Sequence, residues 1–402
     1  MMKRVLSIAT VGGLALGTVL LSTAASSSAQ GTVASDRPAG LLIYPKLVSD
    51  PSAVFGGLPT DTLVQLTNTA NAAVTVHCFY VDNTSHCSNG VNPGLPAAAG
   101  ACRSSDDCVT GGVCVPDCNV NPTGPDFPLT LTANQAVAWP VGPGATLEEG
   151  AGTVPPAPED FFIGELKCFE ATTNASGDPI PVNANDLKGE ATIESATTGV
   201  PGSIDARAYN AIGVQANSTN GASQDTGTLC LGVTAGSTEC PGPVQYASCP
   251  ATLILDHLFE GPVDSATTNT DLTLVPCTED LASPRNNAAN VTAVQFLVFN
   301  EFEQRFSASR RFSCFIETPL SDIDQLVGNE KFSIFNINVQ GTVTGQTRIR
   351  PVTTNETEVG HGMLGVAEEF RNLSGGGPQG SSAWNLNYVG TNAGRGDFIR
   401  IR

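Results

Sequence analysis

Val291-Thr-Ala-Val-Gln-Phe-Leu-Val-Phe-Asn300 runs ten residues without Gly or Pro and is dense in β-branched and aromatic side chains. That is the composition of a β-strand. Side chains alternate along a strand, so Val294, Phe296 and Val298 share one face and Ala293, Leu297 and Phe299 the other. Both faces are largely apolar, which predicts a central strand covered on each side. A weaker echo, Val74-Thr-Val-His-Cys-Phe-Tyr-Val-Asp82, lies towards the other end of the chain. The two stretches are expected to centre two related β domains.

The surrounding pattern is consistent with this. The chain has 42 Gly, 27 Pro and only 14% charged residues, as expected of many short strands joined by turns. In the first half, strands are expected at 41–48, 62–68, 74–82, 127–132, 135–141, 161–171, 189–194 and 204–214. The segment 69–71 suits a tight turn that makes the second and third of these antiparallel neighbours. In the second half they are expected at 252–259, 271–275, 291–300, 302–306, 311–317, 332–340, 343–350, 363–370, 383–389 and 397–402. Ser321 to Leu326 reads as a short helix capped by Ser321. The order suggests a distant duplication: 41–48 parallels 252–259, 61–68 parallels 269–275, and 74–82 parallels 291–300.

The expected fold is all-β, with two sandwich-like antiparallel domains (Ig-like or jelly-roll-like) at 30–240 and 241–402. A disulfide-rich insertion at 83–125 interrupts the first. Residues 1–29 read as an export signal: Lys3 and Arg4, an apolar run from Val5 to Leu21, and Ser27-Ser-Ala29 before the cut. No later segment has the length and apolarity of a membrane span. The expected location is outside the cytoplasm: extracellular, cell surface or periplasm.

Twelve cysteines in an exported chain imply disulfides. Cys277 and Cys314 flank the 291–300 strand and are expected to pair. Residues 102–118, Cys-Arg-Ser-Ser-Asp-Asp-Cys-Val-Thr-Gly-Gly-Val-Cys-Val-Pro-Asp-Cys, resemble small cysteine modules of exported proteins from environmental bacteria. That resemblance implies a disulfide-stapled insertion and brings no activity with it. Cys102–Cys114 with Cys108–Cys118 is one interleaved connectivity among the three that four cysteines allow. The zinc alternative, with His77 and His86, lacks any Cys-x2-Cys pair. Asn300-Glu-Phe-Glu-Gln-Arg-Phe306, Gly345-Gln-Thr-Arg348 and Leu364-Gly-Val-Ala-Glu368 are similar to segments of exported bacterial proteins without an assigned role.

The formal net charge of −19 makes nucleic acid and anionic membranes poor partners. The acidity is uneven, with a net of −15 over residues 30–240 and −6 over 241–402. Arg305, Arg310, Arg311, Arg348 and Arg350 fall on adjacent strand candidates, so a basic patch there could meet the acidic half of another copy. An envelope component or self-association is the remaining partner class.

Motifs for chemistry are sparse. Gly360-His-Gly-Met-Leu-Gly365 spells the dinucleotide fingerprint but lacks the strand–helix context, and reads as a glycine-rich lead into a strand. Asp225-Thr-Gly-Thr228 occurs once, whereas an aspartic-protease site needs two such loops. Neither Gly-x-Ser-x-Gly nor His-Glu-x-x-His occurs. His77, His86, His257 and His361 are scattered and read as structural. Glu301/Glu303 and Glu368/Glu369 sit on single segments, whereas sugar hydrolysis needs carboxyls across a cleft. Asp322 and Asp324, near Asn329, lack a calcium-loop pattern. Arg395-Gly-Asp397 is a short adhesion tripeptide.

No catalytic, cofactor or metal residue is assigned. The leading expectation is an exported non-catalytic structural, adhesive or binding protein. The alternative is an exported hydrolase with a site built from strand-end loops.

Overall fold

The computed structural model describes residues 32–54, 58–88, 101–102, 108, 114–116, 126–197, 202–217, 227–232, 246–263, 266–281, 291–324, 330–352, 362–373, 380–391 and 396–401. The export segment, His361, Cys118 and most of the 83–125 insertion lie outside them. The fold is all-β and almost entirely antiparallel.

The first half contains β1 (Leu41–Ser49), β2 (Thr60–Asn68), β3 (Val74–Asp82), β4 (Phe127–Leu131), β5 (Ala136–Pro140), β6 (Phe162–Thr173), β7 (Leu187–Ala196), β8 (Ile204–Asn210), β9 (Ile212–Val214) and β10 (Thr228–Leu231). The second contains β11 (Pro250–Leu258), β12 (Ala266–Pro276), β13 (Val291–Asn300), β14 (Arg305–Ser313), β15 (Ile316–Pro319), β16 (Thr344–Pro351), β17 (Met363–Leu373), β18 (Gly380–Asn385), β19 (Asn387–Thr391) and β20 (Asp397–Arg400).

The sheet orders repeat. The first half forms β9-β1-β6-β3-β4 and β8-β7-β2-β5; the second forms β19-β11-β16-β13-β14 and β18-β17-β12-β15. Every strand of one half therefore has a counterpart ten labels later, in the same place. Short strands at Val33–Ala34, Pro179–Pro181 and Gly261–Val263 pair with β9, the end of β6 and the start of β12.

The corner between the eighth and ninth strands is also repeated. Ala211 N donates to Gly189 O and Leu386 N to Gly365 O, both at glycines near the start of the preceding long strand. A β-carbon on Gly189 would collide with the Tyr44 hydroxyl, and one on Gly365 would press on Leu274 and Leu386. These corners split two stretches that read as single strands, 204–214 and 383–389.

Each pair of sheets encloses a core. Tyr44, Val64, Tyr80, Trp139, Leu166 and Ile193 fill the first, and Leu255, Leu274, Phe296, Val298, Phe335 and Ile349 the second. A third core joins the halves: Leu41, Ile43, Phe79 and Phe169 from the far face of the first sheet meet Val275, Cys277, Leu364 and Ile399. Across it, β10 pairs antiparallel with its own counterpart β20, Leu229 opposite Ile399. The four large sheets make a propeller-like set of four rather than two cleanly separate sandwiches.

Several local expectations are corrected. β2 and β3 lie in different sheets, because buried Asn68 turns the chain with bonds to Ala72 O, at 2.7 Å, and Thr132 O, at 2.8 Å. β13 is fully covered on one face only; on the other, Ala293 is buried but Leu297 and Phe299 remain partly exposed. The segment 332–340 is not a strand but a 3-10 turn, Glu330–Phe332, and one short helix, Ile337–Gln340, capped by Asn336. Ser321 caps nothing: it lies within a 3-10 turn that begins after Pro319, and its N–H donates to Glu260.

Candidate functional site

The least expected chemistry lies in the interior. Lys46 and Lys167 are 2% and 1% exposed. Each sits in a largely apolar stretch and meets at least one carboxylate from the other half. Lys46 on β1 pairs with Glu317 of β15 at 2.7 Å and with Glu368 of β17. Arg207 of β8 also contacts Glu368, at 2.5 Å. Burial pulls the Lys46 ammonium down, but Glu317, Glu368 and Asp271 outweigh it and hold it above the usual lysine range. Burial pushes Glu368 up, but the two cations outweigh it and keep its carboxyl below the usual range.

Lys167 on β6 reaches Glu165 at 2.6 Å and Glu279 at 2.8 Å, and Asn83 donates to Glu165 at 2.9 Å. One cation faces two carboxylates here. Burial first, then the neighbouring Glu165, drives the Glu279 carboxyl above its ordinary value. These clusters are electrostatic ties between the halves.

One open cleft of about 610 Å³ lies at the hairpin end of the β11-β16-β13 sheet, lined by Asp256, His257, Phe299, Glu301, Gln346 and Glu369 among others. It brings together one member of each acidic pair seen in the sequence. Glu301 accepts from the Thr344 hydroxyl at 2.7 Å and its N–H at 3.1 Å, and these bonds lower its carboxyl. Burial raises Glu369. Glu368, next along, points to the opposite face, into the Lys46 cluster. His257 makes no base here: burial lowers it to about 4, and its two ring nitrogens meet Thr347 Oγ1 at 2.8 Å and Leu258 O at 3.1 Å. His77 pairs with Asp126 at 2.8 Å and His86 with Glu159 at 3.1 Å.

The short motifs resolve into structure. Gly362 leads directly into β17, with no helix following. Asp397 is buried, accepting from the Thr278 hydroxyl at 2.8 Å and from Gly362 N at 3.2 Å, so an adhesion receptor could not read it. Arg395 and Asp225 lie outside the described residues. Asp324 accepts from the Ser333 hydroxyl at 2.5 Å and from Ile334 N at 2.9 Å.

The cysteines pair as Cys78–Cys168, Cys87–Cys108, Cys102–Cys114 and Cys249–Cys277. Cys108 therefore joins Cys87 rather than Cys118. Cys277 joins Cys249, because the start of β11 and the end of β12 converge on the shared core. Cys314, also in a disulfide, sits in the β14–β15 turn. The sulfurs of Cys87, Cys102 and Cys108 lie within 4.8 Å of one another, but as disulfides they offer no thiolate to a metal. Such bridges fit an oxidising compartment. No described helix is long and apolar enough to cross a membrane.

No protein-family model and no curated protein matches the chain. The buried lysines carried a readable signal that sequence reasoning missed: a lone Lys inside Leu41-Leu-Ile-Tyr-Pro-Lys-Leu-Val48 and another inside Phe162-Ile-Gly-Glu-Leu-Lys-Cys-Phe169. A charge inside an apolar strand implies a buried partner.

Proposed function

We propose that the chain is an exported, non-catalytic structural or adhesive protein of the cell envelope or extracellular space. Residues 30–240 and 241–402 are then two duplicated sandwich-like domains. The observation that carries this reading is where the chemistry is spent. Both buried lysines and their carboxylates tie one domain to the other, the described histidines have partners at both nitrogens or a carboxylate at one, and disulfides lock the strands. Groups committed in this way brace a scaffold and are not poised for turnover.

Fractionation of producing cells with N-terminal sequencing tests the location. The expected product lies outside the cytoplasm and begins at Gln30; a cytoplasmic chain retaining Met1 would end the proposal. Loss of the gene is expected to weaken surface attachment or envelope integrity.

The cleft supports a second reading, an exported hydrolase. Glu301 is lowered and Glu369 raised in one open cavity, and carboxyls pushed apart in this way are the signature of a base and an acid. Turnover of a glycoside, ester or peptide that Glu369→Gln abolishes without loss of folding would replace the first reading with this one.

A further inference from the structure

Duplication makes the two halves controls for each other. In the first half, Lys167 on β6 stands opposite Phe79 of β3 and Ile43 of β1, on the face covered by the third core. In the second half, Arg348 on β16 stands opposite Leu297 of β13 and Ile254 of β11. Arg348 is therefore the counterpart of Lys167, and its neighbours are the counterparts of that lysine's apolar neighbours. Yet its face is open. Arg305, Arg311, Arg348 and Arg350 are all exposed there. The sole facing carboxylate on these strands is Asp256, already bonded to Gln346 at 3.0 Å. Leu297 and Phe299 lie half-buried between the arginines, with the Arg348 guanidinium 5.5 Å from the Phe299 ring centre, and Val389 is 59% exposed at the edge.

The outward face of β8-β7-β2-β5 is its complement. Asp61, Glu190 and Glu194 line it, with Lys188 the one cation. Asp61 and Glu194 stand opposite each other in register, and Glu194 adds to the burial that raises the Asp61 carboxyl. Among the described residues none of these three carboxylates has an ion-pair partner. Small side chains flatten its two edge strands, Ala136 and Ala138 on β5 and Ala206 and Ala208 on β8; Leu63 is half-buried between Thr192 and Pro140, and Ile204 is 57% exposed.

We propose that the arginine face of one copy docks on the acidic face of a second, supplying to Arg348 and Arg350 the carboxylates that Glu165 and Glu279 supply to Lys167. The two faces differ, so the contact is heterologous and each copy keeps one free face of each kind. Such a contact propagates head to tail, closing into a ring or extending as a filament. This rests on the structural reading above and gives it a mechanism of assembly. The purified chain tests it without reference to where the cell places the protein.

Sedimentation of the purified chain over a range of concentrations is the test. At low salt the apparent mass is expected to rise with concentration. At about 1 M salt, where screening acts over about 3 Å, it should return to the monomer. Arg348→Glu with Arg350→Glu, and separately Glu190→Lys with Glu194→Lys, place like charges at the contact, so each should weaken self-association by more than about a hundredfold. Mixing the two variants restores complementary charges and should restore association, which a folding defect could not do. Ser307→Glu with Ser309→Glu, adding charge at exposed serines of β14, gives the same loss should the arginine variant fail to fold. A chain that stays monomeric at low salt up to about 1 mM, or one whose association survives high salt and both reversals, overturns the proposal.

Discussion

β3 and β13 occupy the same place in the same strand order and meet different fates. Strand β3 is buried on both faces: Val76, Cys78 and Tyr80 enter one core, Phe79 and Val81 the shared one. Strand β13 buries Val294, Phe296 and Val298 and, on its other face, Ala293, but leaves Leu297 and Phe299 only partly buried. By composition the ranking would be reversed, since β13 is the more apolar and β3 carries His77 and Asp82. Strand position follows from local pattern, which the halves share. Coverage of the outer face depends on what the rest of the chain, or another chain, brings to it.

The largest expected effect concerns the pin that only the first half has. Cys78 and Cys168 are opposite in register on β3 and β6 and close a separation of 90 residues. The chain-entropy argument gives such a loop about 4–5 kcal/mol. Cys78→Ala with Cys168→Ala should lower denaturant stability by that amount. The equivalent strands β13 and β16 lack a bridge and depend on packing, so Phe296→Ala there should cost about 3–5 kcal/mol through the cavity it leaves. A disulfide loss below 1 kcal/mol would show that the covered sheet is held by its two cores alone.

Next comes the matched pair of cations. Lys167→Ala abandons Glu165 and Glu279 in the interior, and breaking a buried pair in this way costs about 3–5 kcal/mol. Arg348→Ala, at the counterpart position in the isolated chain, removes an exposed guanidinium and should cost at most about 1 kcal/mol. Thermal unfolding of the two variants side by side measures how much coverage is worth at one topological position. Equal losses would mean that the second sheet is already covered.

Much of the strand order was legible, because β-branched runs and turn residues are local signals. The duplicate correspondences 41–48 with 252–259 and 74–82 with 291–300 match β1 with β11 and β3 with β13. Less legible was anything set by distant partners. Cys277 could not announce Cys249, since the convergence of two strand ends on a shared core is tertiary. The expected β2–β3 hairpin failed because Asn68 spends its side chain on Ala72, Leu131 and Thr132, and turns the chain between sheets. The cleft joins Asp256, Phe299 with Glu301, Gln346, and Glu369 from four separate segments. Even so, the lone lysines of β1 and β6 were visible as misfits.

The pH dependence should also distinguish the interior from the surface. Burial raises Glu170 and Glu260 to about 7 and Asp271 to about 6. For each, the folded state keeps a proton that the unfolded chain releases near its ordinary value, so stability falls as pH rises from about 4.5 to 7. His257, lowered to about 4, acts the other way, because the unfolded chain takes up a proton that the folded one refuses as pH falls from 6.5 to 4. Three carboxylates outweigh one imidazole between pH 5 and 7. The melting temperature should therefore be higher near pH 5.5 than near pH 8, and Glu260→Gln should flatten the slope. A maximum at pH 8 would mean that these carboxylates are ionised in the fold.

The smallest effect lies in the connection between the fifth and sixth strands, which the two halves build differently. In the first half this connection is a small hairpin, Ala145–Leu147 with Gly152–Val154, that drops Leu147, Ala151 and Val154 into the core. In the second it is helical: Asn336 accepts from Asn338 N at 3.0 Å, and Gly341, with φ of 68°, closes the turn onto Ile337 O. A four-residue helix gains little from propagation, so its cap and its left-handed glycine supply a large share of its definition. Asn336→Ala leaves the Asn338 amide without its acceptor and should cost about 1 kcal/mol. Faster hydrogen exchange confined to 336–341, with the melting temperature barely changed, is the expected readout. Exchange spreading into β13 would instead show that this turn braces the open sheet, because Gln340 O accepts from Asn300 at the end of that strand, at 3.3 Å.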